Sequence, residues 1–200
     1  MDVSPDFGIQ WDLAGRPPVR DVMITHAHRD HCFGLMDLYP SFQPVAPEMQ
    51  IVGPAGVLSA VRSHFENAPI PFHPVPEGIP HNGFLFFPVP HSKNIPCFGI
   101  WCVGGKRWAY IPDLFSLPVG TAEHLQDLDL IILDGTLRVA SAGERKHETI
   151  EEGLALAERL RSKKTCFTHI GHIGVPHAEL EVRLKSRNAF PACDGLELEL

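Results

Sequence analysis

Three histidines and an aspartate crowd the segment MITHAHRDHCFG, residues 23–34: His26, His28, Asp30 and His31. Imidazole nitrogens and carboxylate oxygens are the donors that Zn²⁺, Mn²⁺ or Fe accept, and a hydrolytic site needs such ligands while leaving one coordination position for water. The cluster follows VRDVMIT (19–25), an apolar run that reads as a buried strand. If that strand continues over 25–28, His26 and His28 point to the same side and could grip one cation together. Asp30 and His31 would then project from the loop beyond and could hold a second. The competing reading is a set of polar loop residues, or a histidine-rich tract with fortuitous metal affinity. Placement at the end of an apolar strand favours a built site.

Isolated residues of the same kinds recur at the ends of other apolar segments. His91 closes FLFFPVPH, Asp113 closes RWAYIPD and His169 closes TCFTH. Taken singly, each histidine reads as a satisfied structural residue and Asp113 as a turn residue after Pro112. Repetition at equivalent places, where loops leave a rigid sheet, favours convergence on one site. Asp134 in LIILDGT also ends a buried strand. It could orient a histidine ligand. His147, ahead of a long helix in RKHETIEEG, is either a polar helix-start residue or a proton donor to a leaving group. His172 in THIGH stays unassigned. His64, His73, His81, His124 and His177 lack a strand-end context and read as surface residues, and Cys32 as a buried small hydrophobe.

The elements that must position these residues alternate between short apolar runs and helical patterns. MQIVG (49–53) reads as a strand, and the segment from Pro54 as a helix with Val57, Leu58, Val61 and Phe65 inward. After the Pro-rich PIPFHPVPEGIP come three strands, FLFFPVP, CFGIWCV and RWAYIP, and then a buried strand over 128–133. HETIEEGLALAERLRSK is the clearest helix, acidic at its start and basic at its end, with Ile150, Leu154, Leu156, Ala157 and Leu160 facing a core. TCFTHI, PHAELEVRLKSR and AFPACDGLELEL add a strand, a helix and a final strand. No linker or repeat interrupts the pattern, so one α/β domain with mixed sheets over residues 1–200 is expected.

Composition narrows the function classes. A net charge of −7 and the absence of any dense Lys/Arg run argue against a nucleic-acid footprint. No apolar stretch is long enough to span a membrane, and no secretory signal pattern opens the chain. Five scattered cysteines without a C-x-x-C pair suggest neither a disulfide framework nor a cysteine zinc site, which fits the cytoplasm.

The pattern H-x-H-x-D-H, followed by a lone His, a lone Asp and a lone His at strand ends, resembles the metallo-β-lactamase superfamily with its αββα sandwich. The segments SPDF, THAHRDHCFGLMDL, PHSK, HETIEEGLAL, THIGH and DGLEL together look most like its phosphoribosyl 1,2-cyclic phosphate phosphodiesterase branch. That resemblance implies two divalent cations, Zn or Mn with Fe as a further option. His26, His28 and His91 would hold the first, Asp30, His31 and His169 the second, and Asp113 would bridge them, in preference to Asp134, because the branch places its bridge in the strand after the PHSK element. A hydroxide shared by the two cations would attack a small cyclic or nucleotide-like phosphodiester, with His147 assisting the leaving group or holding the phosphate. Relatives of this branch carry further strands ahead of SPDF, so a sandwich truncated at its N-terminus is expected: either the chain is a fragment, or its open edge is covered by a shortened sheet or by another subunit, as in a homodimer. Two alternatives stay open. One is hydrolysis of a thioester, lactone or RNA end; the other is a non-catalytic relative resembling the pyrroloquinoline quinone biosynthesis B protein.

Overall fold

The computed structural model describes residues 1–38, 49–136, 146–171 and 176–199. They divide into two compact units: residues 1–79 with 94–97, and residues 80–93 with 98–200.

In the first unit, strands β1 (Asp21–Met23), β2 (Gln50–Pro54) and β3 (Phe72–Val75) form a sheet in the order β1-β2-β3. Both pairings are parallel, with Val22 opposite Ile51 and Ile51 opposite Phe72. Among the described residues this sheet is therefore parallel throughout, where a mixed one was expected. Parallel neighbours need a crossover rather than a hairpin, and helices supply it: α2 (Arg29–Cys32) and α3 (Leu35–Leu38) lie between β1 and β2, and α4 (Ala55–Arg62) between β2 and β3. Pro54 stands just ahead of α4, and Val57, Leu58, Val61 and Phe65 are all buried as their spacing requires. Helix α1 (Phe7–Leu13) was not foreseen, nor was β3 within the Pro-rich stretch.

The second unit holds a six-stranded mixed sheet, β4 (Phe84–Pro88), β5 (Phe98–Cys102), β6 (Trp108–Ile111), β7 (Leu130–Asp134), β8 (Thr165–Thr168) and β9 (Ala189–Pro191), in sequential order. β4-β5-β6 are antiparallel, and β6-β7-β8-β9 are parallel. Three helices accompany the parallel strands: α5 (Val119–His124), α6 (Ile150–Arg159) and α7 (His177–Lys185). Helix α6 opens with a capping box. The Thr149 hydroxyl accepts from the Glu152 backbone N–H, and the Glu152 carboxylate accepts from the Thr149 N–H, an exchange worth about 1 kcal/mol. Its buried stripe is the expected one, ending at Leu160. Gly153 sits in mid-helix because a Cβ there would come within 2.8 Å of the Phe167 ring on β8. No helix among the described residues is long and apolar enough to cross a membrane.

Candidate metal and catalytic site

In the first unit, the expected strand extension is absent. β1 ends at Met23, and the ladder closes with one more bond, from Ile24 N–H to the Val52 carbonyl. His26 and His28 lie in the connection that follows, where His28 keeps extended backbone (φ −67°, ψ 150°). The two rings nevertheless meet: His26 Nε2 and His28 Nδ1 are 2.9 Å apart. One cation with metal–nitrogen bonds of about 2.0–2.1 Å could take both. Asp30 and His31 occupy the short helix α2 rather than a loop. His31 stacks obliquely on His26 at 4.1 Å between ring centres, and Asp30 is solvent-exposed, 3.6 Å from His31 Nε2.

Beneath this cluster lies a carboxylate that sequence reading missed. Asp2 Oδ2 accepts from His31 Nδ1 at 2.8 Å and from the Thr25 hydroxyl at 2.8 Å, while Oδ1 accepts from the Thr25 N–H at 2.8 Å. Burial by itself pushes the Asp2 carboxyl up. The hydrogen bond and charge of His31, with the Thr25 N–H and His26, outweigh it and hold the group below its usual value. Asp2 therefore fixes His31 with Nδ1 as donor, the arrangement that orients a metal-ligating imidazole. Its partners stand 23 and 29 positions away, and no local pattern announces them. His64, expected to be an ordinary surface residue, is exposed but touches the Ala27 carbonyl through Nε2 at 3.0 Å. Cys32 is fully buried, as expected.

In the second unit, the register explains why isolated residues meet. Ile111 pairs with Leu133 and Asp134 with Thr168, so Asp113, Asp134 and His169 leave the same edge of three adjacent parallel strands. Carboxyl ends of parallel strands are where such sheets build their sites. Asp113, Asp134, His147 and His169 each offer a ligand atom within 4.8 Å of the others. His91 joins them, its Nε2 3.2 Å from Asp113 Oδ2.

The donor set suits divalent cations. His91 Nδ1 lies 3.0 Å from the Lys146 carbonyl, which can only accept, so Nδ1 carries the proton and a neutral ring turns its lone pair at Nε2 toward Asp113. Two acceptors 3.2 Å apart call for a proton or a cation between them. Asp113 is 1% exposed and has histidines on both oxygens, with His169 Nδ1 3.4 Å from Oδ1.

Asp134 is engaged by four donors. Oδ2 accepts from His147 Nδ1 at 2.7 Å and Leu114 N–H at 3.1 Å; Oδ1 accepts from the Thr136 N–H at 2.9 Å and hydroxyl at 2.6 Å. His147 is thus an oriented, partly exposed imidazole, stacked on His169 at 5.6 Å and meeting the His91 ring edge-on at 4.9 Å between ring centres. His169 has a left-handed backbone (φ +55°), a sparsely populated state for a non-glycine residue. His172 falls outside the described residues.

Residues 2–170 match the family described as "Beta-lactamase superfamily domain". The chain belongs to the metallo-β-lactamase superfamily. A crystal structure of a diphosphatase from the PhnP family is 30% identical, with a TM-score of 0.84 over 100% of this chain and 78% of that one. Zn²⁺-bound PqqB from Methylobacterium extorquens is 21% identical, with a TM-score of 0.78 over 100% and 82% of the two chains, a likeness of fold alone. A Porphyromonas gingivalis (strain ATCC BAA-308 / W83) protein named octanoyltransferase is 25% identical over 98% of this chain, which spans only 41% of that relative's length. The fold class read from the sequence is therefore the metallo-β-lactamase one, and the candidate ligands together with these superfamily neighbours support a metal-dependent hydrolase.

Proposed function

We propose that this metallo-β-lactamase superfamily member is a dinuclear phosphodiesterase acting on a small cyclic or nucleotide-like phosphate. The observation that carries the reading is the Asp134–His147 pair at 2.7 Å beside Asp113 and His169, because a metal carrier has no use for an oriented proton donor. The 30% identical relative is called a diphosphatase, which favours a phosphorus centre over a carbonyl.

The ligand assignment follows the family resemblance: His26, His28 and His91 for one ion, Asp30, His31 and His169 for the other, and Asp113 shared. With Asp134 engaged by four donors, Asp113 is the carboxylate better suited to sharing. Zn²⁺ or Mn²⁺ suits these donors, with Fe a third candidate. When bound, two such ions supply an activated water near neutral pH and neutralise charge on a phosphoryl group. The chain's own residues do the rest. Asp2 and Asp134 hold imidazoles in fixed tautomers. His147, its Nδ1–H given to Asp134, presents Nε2 to the substrate side, where a proton there can pass to the departing alkoxide. Asp134 then stabilises the ring as its protonation changes.

The test is hydrolysis of a chromogenic phosphodiester, a cyclic phosphate and an acyl thioester by metal-loaded protein. Phosphodiester turnover is expected, reduced about 10²–10⁴-fold in His147→Ala. The acyl-transferring name of the P. gingivalis relative is the observation favouring the second reading, a thioester hydrolase. Thioester turnover without phosphodiester turnover would decide for it.

A further inference from the structure

Thr136 follows Asp134 by two residues, and its hydroxyl sits between that carboxylate and an imidazole. Thr136 Oγ1 is 2.6 Å from Asp134 Oδ1, 2.6 Å from His169 Nδ1 and 3.1 Å from the His169 carbonyl. A hydroxyl has one proton to give. Two neighbours can only accept, the Asp134 carboxylate at 2.6 Å and the His169 carbonyl at 3.1 Å, and the proton goes to the nearer, charged one, because two lone pairs facing each other at 2.6 Å would repel far more strongly than at 3.1 Å. Toward His169 the hydroxyl therefore accepts, and Nδ1 carries the ring proton. The lone pair is left on Nε2, the nitrogen on the far side of the ring.

We infer that Thr136 is a positioning residue that sets the tautomer and orientation of His169, relaying to it the same carboxylate that holds His147. The inference deepens the metal-dependent reading proposed above and rests on it for the role of His169. Two further observations support it. The backbone is built for close approach at this point: a Cβ on Gly135 would stand 2.8 Å from the Thr168 carbonyl oxygen, and a Cβ on Gly171 would stand 2.8 Å from that of Thr136. Both glycines let the segment carrying Thr136 lie against the one carrying His169, and the Gly135 N–H bonds the Thr168 carbonyl at 2.7 Å.

The first unit also repeats the device with unrelated residues. Thr25 gives its hydroxyl proton to Asp2 at 2.8 Å and lies 3.0 Å from His26 Nδ1, while the same Asp2 holds His31 directly. In each unit one buried carboxylate thus fixes two histidines, one by direct contact and one through a threonine hydroxyl. Sequence signals existed in part: D-x-T after a buried strand is the pattern of a side chain bonding two residues onward.

The test compares Thr136→Val, which keeps the shape and removes the hydroxyl, with Thr136→Ser, which restores it. Imidazole ¹⁵N correlations on metal-free protein read the His169 tautomer, and competition with a chromophoric chelator reads Zn²⁺ affinity. Wild-type and Thr136→Ser proteins should carry the His169 proton on Nδ1. Thr136→Val should lose that single tautomer and bind Zn²⁺ about 10–100-fold more weakly, the usual cost of removing a group that orients a ligand. A wild-type proton on Nε2, a folded Thr136→Val that keeps the wild-type tautomer or affinity, or a Thr136→Ser that behaves like valine would each overturn the inference. Wild-type protein that shows the Nδ1 tautomer yet binds no metal would instead defeat the proposed function alone.

Discussion

Replacing Asp2 by alanine probes how much of the first unit depends on one carboxylate. Three hydrogen bonds of 2.8 Å end on it, and they come from a backbone N–H, a hydroxyl and an imidazole, on residues that are themselves 0–3% exposed. Bonds to a charged acceptor contribute about 1.5–3 kcal/mol each, but they do not add, and alanine also removes the cost of burying the charge. The direction of the Asp2 shift agrees with partners that favour its charged form, and the loss itself comes from the donors left without this acceptor. Burial is the largest single influence and raises the pKa, yet the net displacement is downward, so the partners together outweigh desolvation. Asp2→Ala should therefore cost about 3–5 kcal/mol, the usual penalty for removing one side of a buried, hydrogen-bonded pair. Urea unfolding of metal-free protein, followed by circular dichroism, measures it. Asp2→Asn is the control, since it keeps an acceptor for the Thr25 N–H and should recover part of the loss. A loss under about 1 kcal/mol with an unchanged urea slope would show that desolvation cancels the partners, refuting the reasoning.

Two predictions concern other parts of the chain. A Cβ on Gly99 of β5 would come within 2.6 Å of the Phe87 ring on β4, so Gly99→Ala should destabilise by about 1–3 kcal/mol and Phe87→Leu should relieve most of that in the double variant. Purely additive losses in thermal melts would show that the ring is not the obstacle. Burial raises the Cys166 thiol to about 12, which leaves on the order of 10⁻⁴ of it as thiolate at pH 8. Iodoacetamide should therefore label exposed Cys193 in the native protein and reach Cys166 only in denaturant, with mass spectrometry as the readout. Comparable native labelling of both would contradict the burial.

What the sequence revealed and what it hid divide along physical lines. Helix α6 was legible because capping residues, charge bias and a 3.6-residue apolar period coincide in one segment, and the strands of the second sheet because β-branched and aromatic runs are bounded by turn residues. α1 was hidden because only Trp11 of its seven residues is buried, which leaves little periodicity to read. β3 was hidden because Phe72–Val75 contains a proline and only Val75 is buried. The pairing of His26 with His28 was anticipated for an incomplete reason: the strand stops at Met23, and the two rings meet at 2.9 Å in the connection beyond it rather than on a strand. Asp2, Thr25 and Thr136 stayed unseen because they act through other residues. A carboxylate 29 positions from the imidazole it orients leaves no spacing to find, whereas D-x-T at the end of β7 carried a local signal that could have been used.

The central claim is that this metallo-β-lactamase superfamily chain uses its histidine and aspartate clusters as a dinuclear hydrolytic centre. Metal content by inductively coupled plasma mass spectrometry, measured on wild-type and Asp113→Ala proteins alongside phosphodiester hydrolysis, tests it most directly. About two divalent ions per wild-type chain with turnover, and loss of both metal and turnover in Asp113→Ala, is the predicted result. Fewer than about one ion per folded wild-type chain after metal loading, with no hydrolysis of phosphodiester, cyclic phosphate or thioester, would contradict it.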